Sequence, residues 1–389
     1  MSSFSKMRKV ALVIGSGDPT SGGGHTFVKT VLNGFLCVDY KEFDYEIIVI
    51  VHEDEFESLI PPHFPFSVIK LKKPIYRMSH FVRRILLRVD QSSPKAIIEG
   101  FDFVFYLGCE VLQTETPYGF VLWDLQHMTD PIFPEVGKFP VWNSRDKSSH
   151  LALRRSSLII TGTPIGKEQI VKYYGVDEKQ IEIIPHPVKY SEYINSGKVS
   201  SNSPVKTFFY PAQFWAHKNH ILLVKVARVL KDEGLENFQF ILTGSDKGNK
   251  EYILESIRQA EVTDFFKVYG FVTEHELESI YAATDVLVYP SYSGPENLPP
   301  LEAIAKNLPV FISDYPGARE QLGDNASYFN PKNELELVAL IKLIFEDARV
   351  FQHKFDQVER LLKTRNGNYF VTSLLSAISD KMIIRDTWK

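Results

Sequence analysis

Short apolar runs alternate with helix-patterned stretches along nearly the whole chain, and this alternation restricts the fold more than any other feature. The runs fall at 10–14, 45–51, 101–107, 120–123 and 158–161, with 181–185 closing a first series. A second series occupies 207–210, 238–243, 266–269, 286–289 and 309–312, with helical patterns at 220–233, 250–260 and 274–283 between its members. Strands joined through helices cannot pair as hairpins, so each series predicts a parallel sheet covered on both faces. Between the two lies a polar stretch at 195–206 containing Ser200-Ser-Asn-Ser-Pro204, which reads as a linker. A chain of 389 residues is long enough for two cores. The expected division is 1–194, linker 195–206 and 207–367, with a last helical segment at 368–389.

Charge and cysteine content narrow the function. A net charge of −4 argues against broad binding to nucleic acid. Two cysteines, Cys37 and Cys109, make no disulfide framework, so a reducing compartment, the cytoplasm, is expected. No apolar run approaches the roughly 20 residues of a membrane-spanning helix, and the basic start leads into the strand at 10–14 rather than into a signal peptide. No Asp-x-Asp follows a strand and no Cys/His ligand spacing occurs, so neither a metal nor a cofactor is expected. The loop Gly162-Thr-Pro-Ile-Gly166-Lys167-Glu168 is one residue short of a phosphate loop and lacks the hydroxyl after its lysine.

One segment, 69–89, carries Lys70, Lys72, Lys73, Arg77, Arg83, Arg84 and Arg88 without an acid. Phe81, Val82, Ile85, Leu86 and Val89 recur there at helical spacing. Two readings fit: a basic amphipathic helix docking peripherally on anionic lipid, or a helix with one face in the first core and the other in water.

The strand run ending at Tyr289-Pro290 continues as Ser291-Tyr-Ser-Gly-Pro-Glu296-Asn297-Leu298-Pro-Pro-Leu-Glu302. Proline suits the first helical position, so a helix is expected from Pro299 or Pro300, with the N–H groups of Leu301, Glu302 and Ala303 unpaired at its positive end. An anion site flanked by Glu296 and Glu302 suits a ligand joining phosphate to hydroxyl-rich groups, as a nucleotide-sugar does; an ordinary crossover with surface acids would read alike. After the first strand of the second series, Tyr210-Pro-Ala-Gln213-Phe-Trp-Ala-His217-Lys218-Asn-His220 places a lysine at a strand-to-helix turn, where it can meet a diphosphate. Gly244 after the 238–243 strand permits close approach of backbone to ligand. In the first half, the loop from Gly15 to Gly24 precedes a helix expected at 26–36 and can turn N–H groups toward a phosphate.

Leu298-Pro-Pro-Leu-Glu302-Ala resembles the second half of the donor-site signature of retaining glycosyltransferases of family 4, the glycosyl transferases group 1, which have the GT-B fold. The resemblance implies two Rossmann-like domains with parallel sheets facing a central cleft, and a helix at 368–389 that crosses back to the first domain. It implies that Glu302 holds the ribose of the donor and that Asn297 and Leu298 lie against it. Gly294 stands where the family has its first glutamate; the nearest carboxylate, Glu296, lies six positions before Glu302 and is the candidate for the transferred sugar. Lys218 matches the lysine of the family's Arg, four residues, Lys phosphate clamp, and Gln213 replaces the arginine, with His217 or His220 available to compensate. Tyr269-Gly270-Phe271 resembles the segment that reads the base, and Asp314-Tyr-Pro-Gly317-Ala-Arg-Glu320 the turn after the last inner strand. In the first half, Gly23 and Gly24 resemble the glycine loop near donor phosphate and acceptor, and Asp124-Leu-Gln126-His127 assigns His127 to sugar positioning first and proton handling second.

The activity so implied is metal-independent, retaining hexosyl transfer from a nucleoside-diphosphate sugar to a glycan or lipid-linked acceptor, in polysaccharide, O-antigen or lipopolysaccharide assembly. A nucleotide-sugar epimerase of the same fold, and a non-catalytic nucleotide-sugar-binding subunit, are the alternatives.

Overall fold

The computed structural model describes residues 7–15, 23–39, 43–52, 59–71, 98–112, 114–189, 205–351, 355–385 and 387. The chain forms two compact units, one of Met1–Leu125, Ser144–Pro187 and Arg365–Lys389, the other of Gln126–Asn143 and Val188–Thr364. The division expected at 194 keeps 126–143 with the first half; in the structure these residues pack with the second.

In the first unit, β1 (Arg8–Val13), β2 (Tyr45–His52), β3 (Ser67–Leu71), β4 (Phe103–Tyr106), β5 (Tyr118–Val121), β6 (Leu158–Thr161) and β7 (Ile181–Ile183) form a parallel sheet in the order β3-β2-β1-β4-β5-β6-β7. Every residue of β4, β5 and β6 is buried, which is why these strands read as unbroken apolar runs. β3 lies at the edge, half exposed and carrying Lys70. The expectation of a helix across 69–89 therefore fails at its start, because 69–71 pair with β2; the basic residues from Lys72 to Arg88 lie outside the described residues.

The helix Gly23–Gly34 starts three residues earlier than the expected 26–36 and gives way to a tight turn at Phe35–Cys37. It packs against the C-terminal helix Gly367–Arg385, with the Phe27 and Phe370 rings edge to face at 5.3 Å. The C-terminal helix sinks Phe370, Leu374, Ile378 and Met382 into the first unit's core. The Tyr45 hydroxyl donates to the Leu375 carbonyl at 3.0 Å, and burial pushes its pKa up to about 12.

The second unit holds β8 (Lys206–Pro211), β9 (Phe238–Thr243), β10 (Phe266–Val268), β11 (Val286–Tyr289), β12 (Val310–Ser313) and β13 (Ser327–Phe329), all parallel, in the order β10-β9-β8-β11-β12-β13. Strand order reverses between β8 and β11, so the crossovers after these two strands leave in opposite directions and open a crevice at their carboxyl ends. The residues following β8 and β11 are thereby brought together.

Candidate active site

Two segments meet at that crevice. After β8 the chain makes a tight turn, Ala216–Lys218, and Asn219 takes a left-handed conformation (φ 55°) before the helix His220–Asp232. The Asn219 side chain donates to the carbonyls of Pro290 (3.1 Å) and Pro331 (3.0 Å), fastening this turn to the loops after β11 and β13. Lys218 Nζ then donates to Tyr289 Oη at 3.0 Å and to Asn297 Oδ1 at 3.1 Å, and lies 5.1 Å from the centre of the Tyr289 ring. Tyr289 donates to the same Asn297 oxygen at 2.9 Å.

Asn297 is the hub of the site. Its Nδ2 donates to Tyr315 Oη (2.8 Å) and the Gly294 carbonyl (3.3 Å), its N–H to Gln321 Oε1 (3.3 Å), and its carbonyl accepts from Gln321 Nε2 (2.7 Å). Burial raises the pKa of both Tyr289 and Tyr315, so the phenols stay neutral. Lys218 thus meets two neutral oxygens, those of Tyr289 and Asn297, at this crevice.

The helix expected from Pro299 or Pro300 begins at Leu298, with Asn297 as its N-cap. Pro299 and Pro300 occupy the second and third positions, so Leu301, Glu302 and Ala303 fall at the fourth and beyond, where N–H groups are consumed inside the helix. The three N–H groups expected to be unpaired therefore lie within the helix ladder. Two prolines supply none and Gln321 takes that of Asn297, which leaves the N–H of Leu298 at the helix mouth.

Glu302, one turn along, is half-buried and accepts from Tyr281 Oη at 3.0 Å. Burial raises its pKa, against the opposing influence of the Tyr281 hydrogen bond and of Lys306. Its charge is felt at Tyr289, which ties it electrostatically to the Lys218 cluster. Glu296 is also half-buried, and its charge acts on Tyr315.

Gly294, at the position of the family's first glutamate, has φ 132°, and a Cβ there would lie 2.6 Å from Asn297 Nδ2. A glutamate does not fit this loop, because Asn297 folds under Lys218 through the space its side chain would need.

Gln213 donates to Ser245 Oγ at 3.0 Å and accepts from Trp215 Nε1 at 2.9 Å. Gln213, where the resembled family carries an arginine, thus ties together the loops after β8 and β9. Gly244 (φ 150°) lets that second loop pass against the first, since an added Cβ would lie 2.3 Å from the Ala212 carbonyl; its N–H donates to Gly270 at 3.0 Å. Beside them Phe271 is 58% exposed and Tyr269 44%, open ring faces at the end of β10.

Neither histidine compensates for the missing arginine. His220 is fully buried, stacked on Phe214 at 4.6 Å, and burial lowers its pKa to about 3, so it stays neutral. His217 Nδ1 pairs with Glu135 Oε1 at 2.5 Å, and its backbone N–H donates to the same oxygen at 3.0 Å. Glu135, which sequence reasoning missed, comes from 126–143. Burial works to raise its pKa, but the His217 hydrogen bonds outweigh it and hold the carboxyl below its ordinary range.

His127, in the short helix Gln126–Thr129, is 1% exposed, and its carbonyl accepts from Trp142 Nε1 at 2.8 Å. Its neighbour Gln126 donates to Ser293 Oγ at 2.8 Å, so this segment too reaches the loop after β11. Gly23 and Gly24 belong to the first unit, where they open the helix Gly23–Gly34; a Cβ on Gly24 would lie 2.9 Å from the Trp123 ring. Gly22 lies outside the described residues. Among the described residues no cluster of three His, Cys, Asp or Glu side chains is placed to hold a metal ion, and no helix is long and apolar enough to cross a membrane.

Residues 194–360 match the family Glycosyl transferases group 1. The chain is 28% identical to the O-antigen chain mannosyltransferase RfbU of Salmonella typhimurium over 57% of its own length and 62% of that protein's. It is 27% identical to the D-inositol 3-phosphate glycosyltransferase of Pseudarthrobacter chlorophenolicus over 45% of its own length and 44% of the other's. It therefore spans less than two thirds of either relative. The crystal structure of Anabaena HepE in complex with UDP and glucose superposes with a TM-score of 0.69 at 15% identity, covering 96% of this chain and all of that one. That likeness shows the fold, GT-B with two Rossmann-like domains.

Proposed function

We propose that this chain is a retaining, metal-independent glycosyltransferase that moves a hexosyl group from a nucleoside-diphosphate sugar to an acceptor hydroxyl in glycan assembly of the O-antigen or lipopolysaccharide kind. The observation that carries this reading is the Lys218–Asn297 pair, which sets an ammonium group at the mouth of the helix Leu298–Ala305. The donor diphosphate sits there, with Lys218 and the Leu298 N–H absorbing charge as the nucleoside diphosphate departs. Glu302 holds the ribose, Phe271 stacks near the base beside Gly244 and Gln213, and Glu296 with Asn297 lies against the sugar. His127 orients the sugar from the segment that Gln126 fastens to Ser293. The departing phosphate takes the acceptor proton on the face it leaves, so the anomeric configuration is kept. The O-antigen mannosyltransferase relative makes a nucleotide-linked mannose the first donor to try.

The test is a thermal-shift panel of UDP, GDP, ADP and TDP sugars, because a ligand that binds only the folded form raises its stability, followed by turnover assays with the donor that binds. Stabilisation by one donor, lost in Lys218→Met, is expected. A full shift in that variant removes the assignment. A non-catalytic binding subunit remains the second reading, because Gln213 is committed to Ser245 and Trp215 and Gly294 bars the first glutamate. Binding without transfer to any acceptor would favour it.

A further inference from the structure

Lys250 opens the helix Lys250–Gln259 after β9, and its half-buried side chain reaches the loops after β8 and β10. Nζ lies 5.7 Å from the centre of the Phe214 ring and 4.0 Å from the point where a side chain on Gly270 would begin. The frame around this ammonium is fixed. Phe214 is fully buried and its N–H donates to the Ser245 carbonyl at 3.1 Å, while the Gly244 N–H donates to the Gly270 carbonyl at 3.0 Å. Asp246 Oδ1 accepts from the N–H groups of Gly248 (2.7 Å) and Lys250 (3.3 Å), which holds the turn before the helix. Asp246 feels the charge of Lys250, yet among the described residues no carboxylate forms an ion pair with it. Next to Gly270 in the chain stand the exposed rings of Tyr269 and Phe271.

We propose that Lys250 selects the nucleobase of the donor by donating to a ring carbonyl, so that the donor carries a keto base (uracil, thymine or guanine) and not adenine or cytosine. The inference rests on the donor reading above, which puts the diphosphate at Lys218 and the base beside Phe271. Strand order supplies the span. β9 and then β10 lie outward of β8, and neighbouring strands are about 5 Å apart, so the end of β10 stands roughly 10 Å from the end of β8. A nucleoside covers such a distance from its 5′ oxygen to the edge of its base. Chemistry supplies the choice. An ammonium group has N–H donors and no acceptor. Guanine O6 and thymine or uracil O4 accept from it, whereas adenine and cytosine present an amino group at the same edge. There donor would face donor, and the lysine would lose its water without gaining a partner.

Calorimetric titration of the full chain with UDP, GDP, ADP and CDP tests this with neither sugar nor acceptor present. UDP or GDP should bind about tenfold more tightly than ADP and CDP, the size of one charge-assisted hydrogen bond. Lys250→Met keeps the reach of the side chain and removes its donors; it should weaken the preferred diphosphate about tenfold and leave ADP and CDP unchanged, so that the preference disappears. Lys250→Arg should retain the preference, and both variants should show wild-type circular dichroism. An equal fall for all the diphosphates would mark a general effect of charge or structure and overturn the proposal. So would binding of ADP by the wild type as tight as that of UDP and GDP, or a preference that survives Lys250→Met. Binding of none of the diphosphates would instead overturn the donor reading itself, and this inference with it.

Discussion

Lys218 Nζ and Asn297 Oδ1 lie 3.1 Å apart, although 79 residues separate them in the chain. The contact sets the direction of the Lys218 ammonium at the crevice between β8 and β11. Asn297 is itself fixed by Tyr289, Tyr315 and Gln321, so the lysine is oriented before any ligand arrives. Such preorganisation avoids a reordering cost at the moment negative charge develops.

Asn297→Asp should therefore weaken donor binding while sparing the fold. The new carboxylate has nearly the shape of the amide, but it pairs with Lys218 and cancels the charge at the proposed diphosphate site. A loss of about tenfold or more in donor affinity is expected, measured as donor KM or by titration of the nucleoside diphosphate. Unchanged affinity in a variant of normal melting temperature would contradict the assigned orientation.

Glu302 carries a pH signature. Its folded pKa lies above its unfolded value of 4.5, so its contribution favours the fold below that value and is lost as pH rises through the raised pKa. Glu302→Gln should remove the burden of a buried carboxylate while keeping an acceptor for Tyr281. Urea titrations should find the variant at least as stable as the wild type at pH 7.5, with the wild type gaining on it toward pH 4.5. The proposed ribose role of Glu302 further predicts that donor binding falls at every pH.

The Glu135–His217 pair predicts the opposite sign. The two side chains are 6% and 10% exposed, and removing one partner leaves the other buried and unmatched. Glu135→Ala should destabilise the protein by about 3 kcal/mol. Because the Glu135 carboxyl is held below its unfolded value of 4.5, the stability it supplies is present above that value and drains away as pH falls through the folded pKa. Wild type and Glu135→Ala should converge in acid. A difference independent of pH would show that packing, not charge, joins the two.

Placing at Gly294 the glutamate that the resembled family carries there should harm the protein. Its φ of 132° is strained for any side chain, and the new Cβ would press on the Asn297 amide at 2.6 Å. Gly294→Glu should cost about 1–3 kcal/mol and displace Asn297 from Lys218. The variant's melting temperature and its nucleotide-sugar shift should drop together; a gain in donor binding would mean that the loop reshapes freely.

Much of the architecture was legible in the chain because burial on both faces of a parallel sheet leaves a local mark. β4 and β11 are unbroken apolar runs, β6 ends in Thr161 and β9 is interrupted only by Gln239 before its closing Thr243, and the sequence places all four. β3 and β13 escaped for the complementary reason. Each is a sheet edge paired on one side, short and partly exposed, so Lys70 in one and Ser327 in the other blur the pattern. The helix start was misplaced by one or two residues because proline is tolerated throughout the first turn, and the chain alone did not say which position of that turn it filled.

The candidate site divides along the same line. Lys218, Asn297 and Glu302 stand out in sequence by their places beside strand ends and a helix start, which are local properties. The sequence by itself determined two parallel sheets, the strand-loop-helix at 285–305 and the residues most suited to meet an anion. Only the tertiary structure decided that Asn297 holds Lys218, that His220 is a neutral core side chain, and that Glu135 from 126–143 neutralises His217 across 82 residues of chain. Periodicity records which face of an element is buried; it does not record which distant polar group that face will meet, because that partner is chosen by the order in which the strands are assembled.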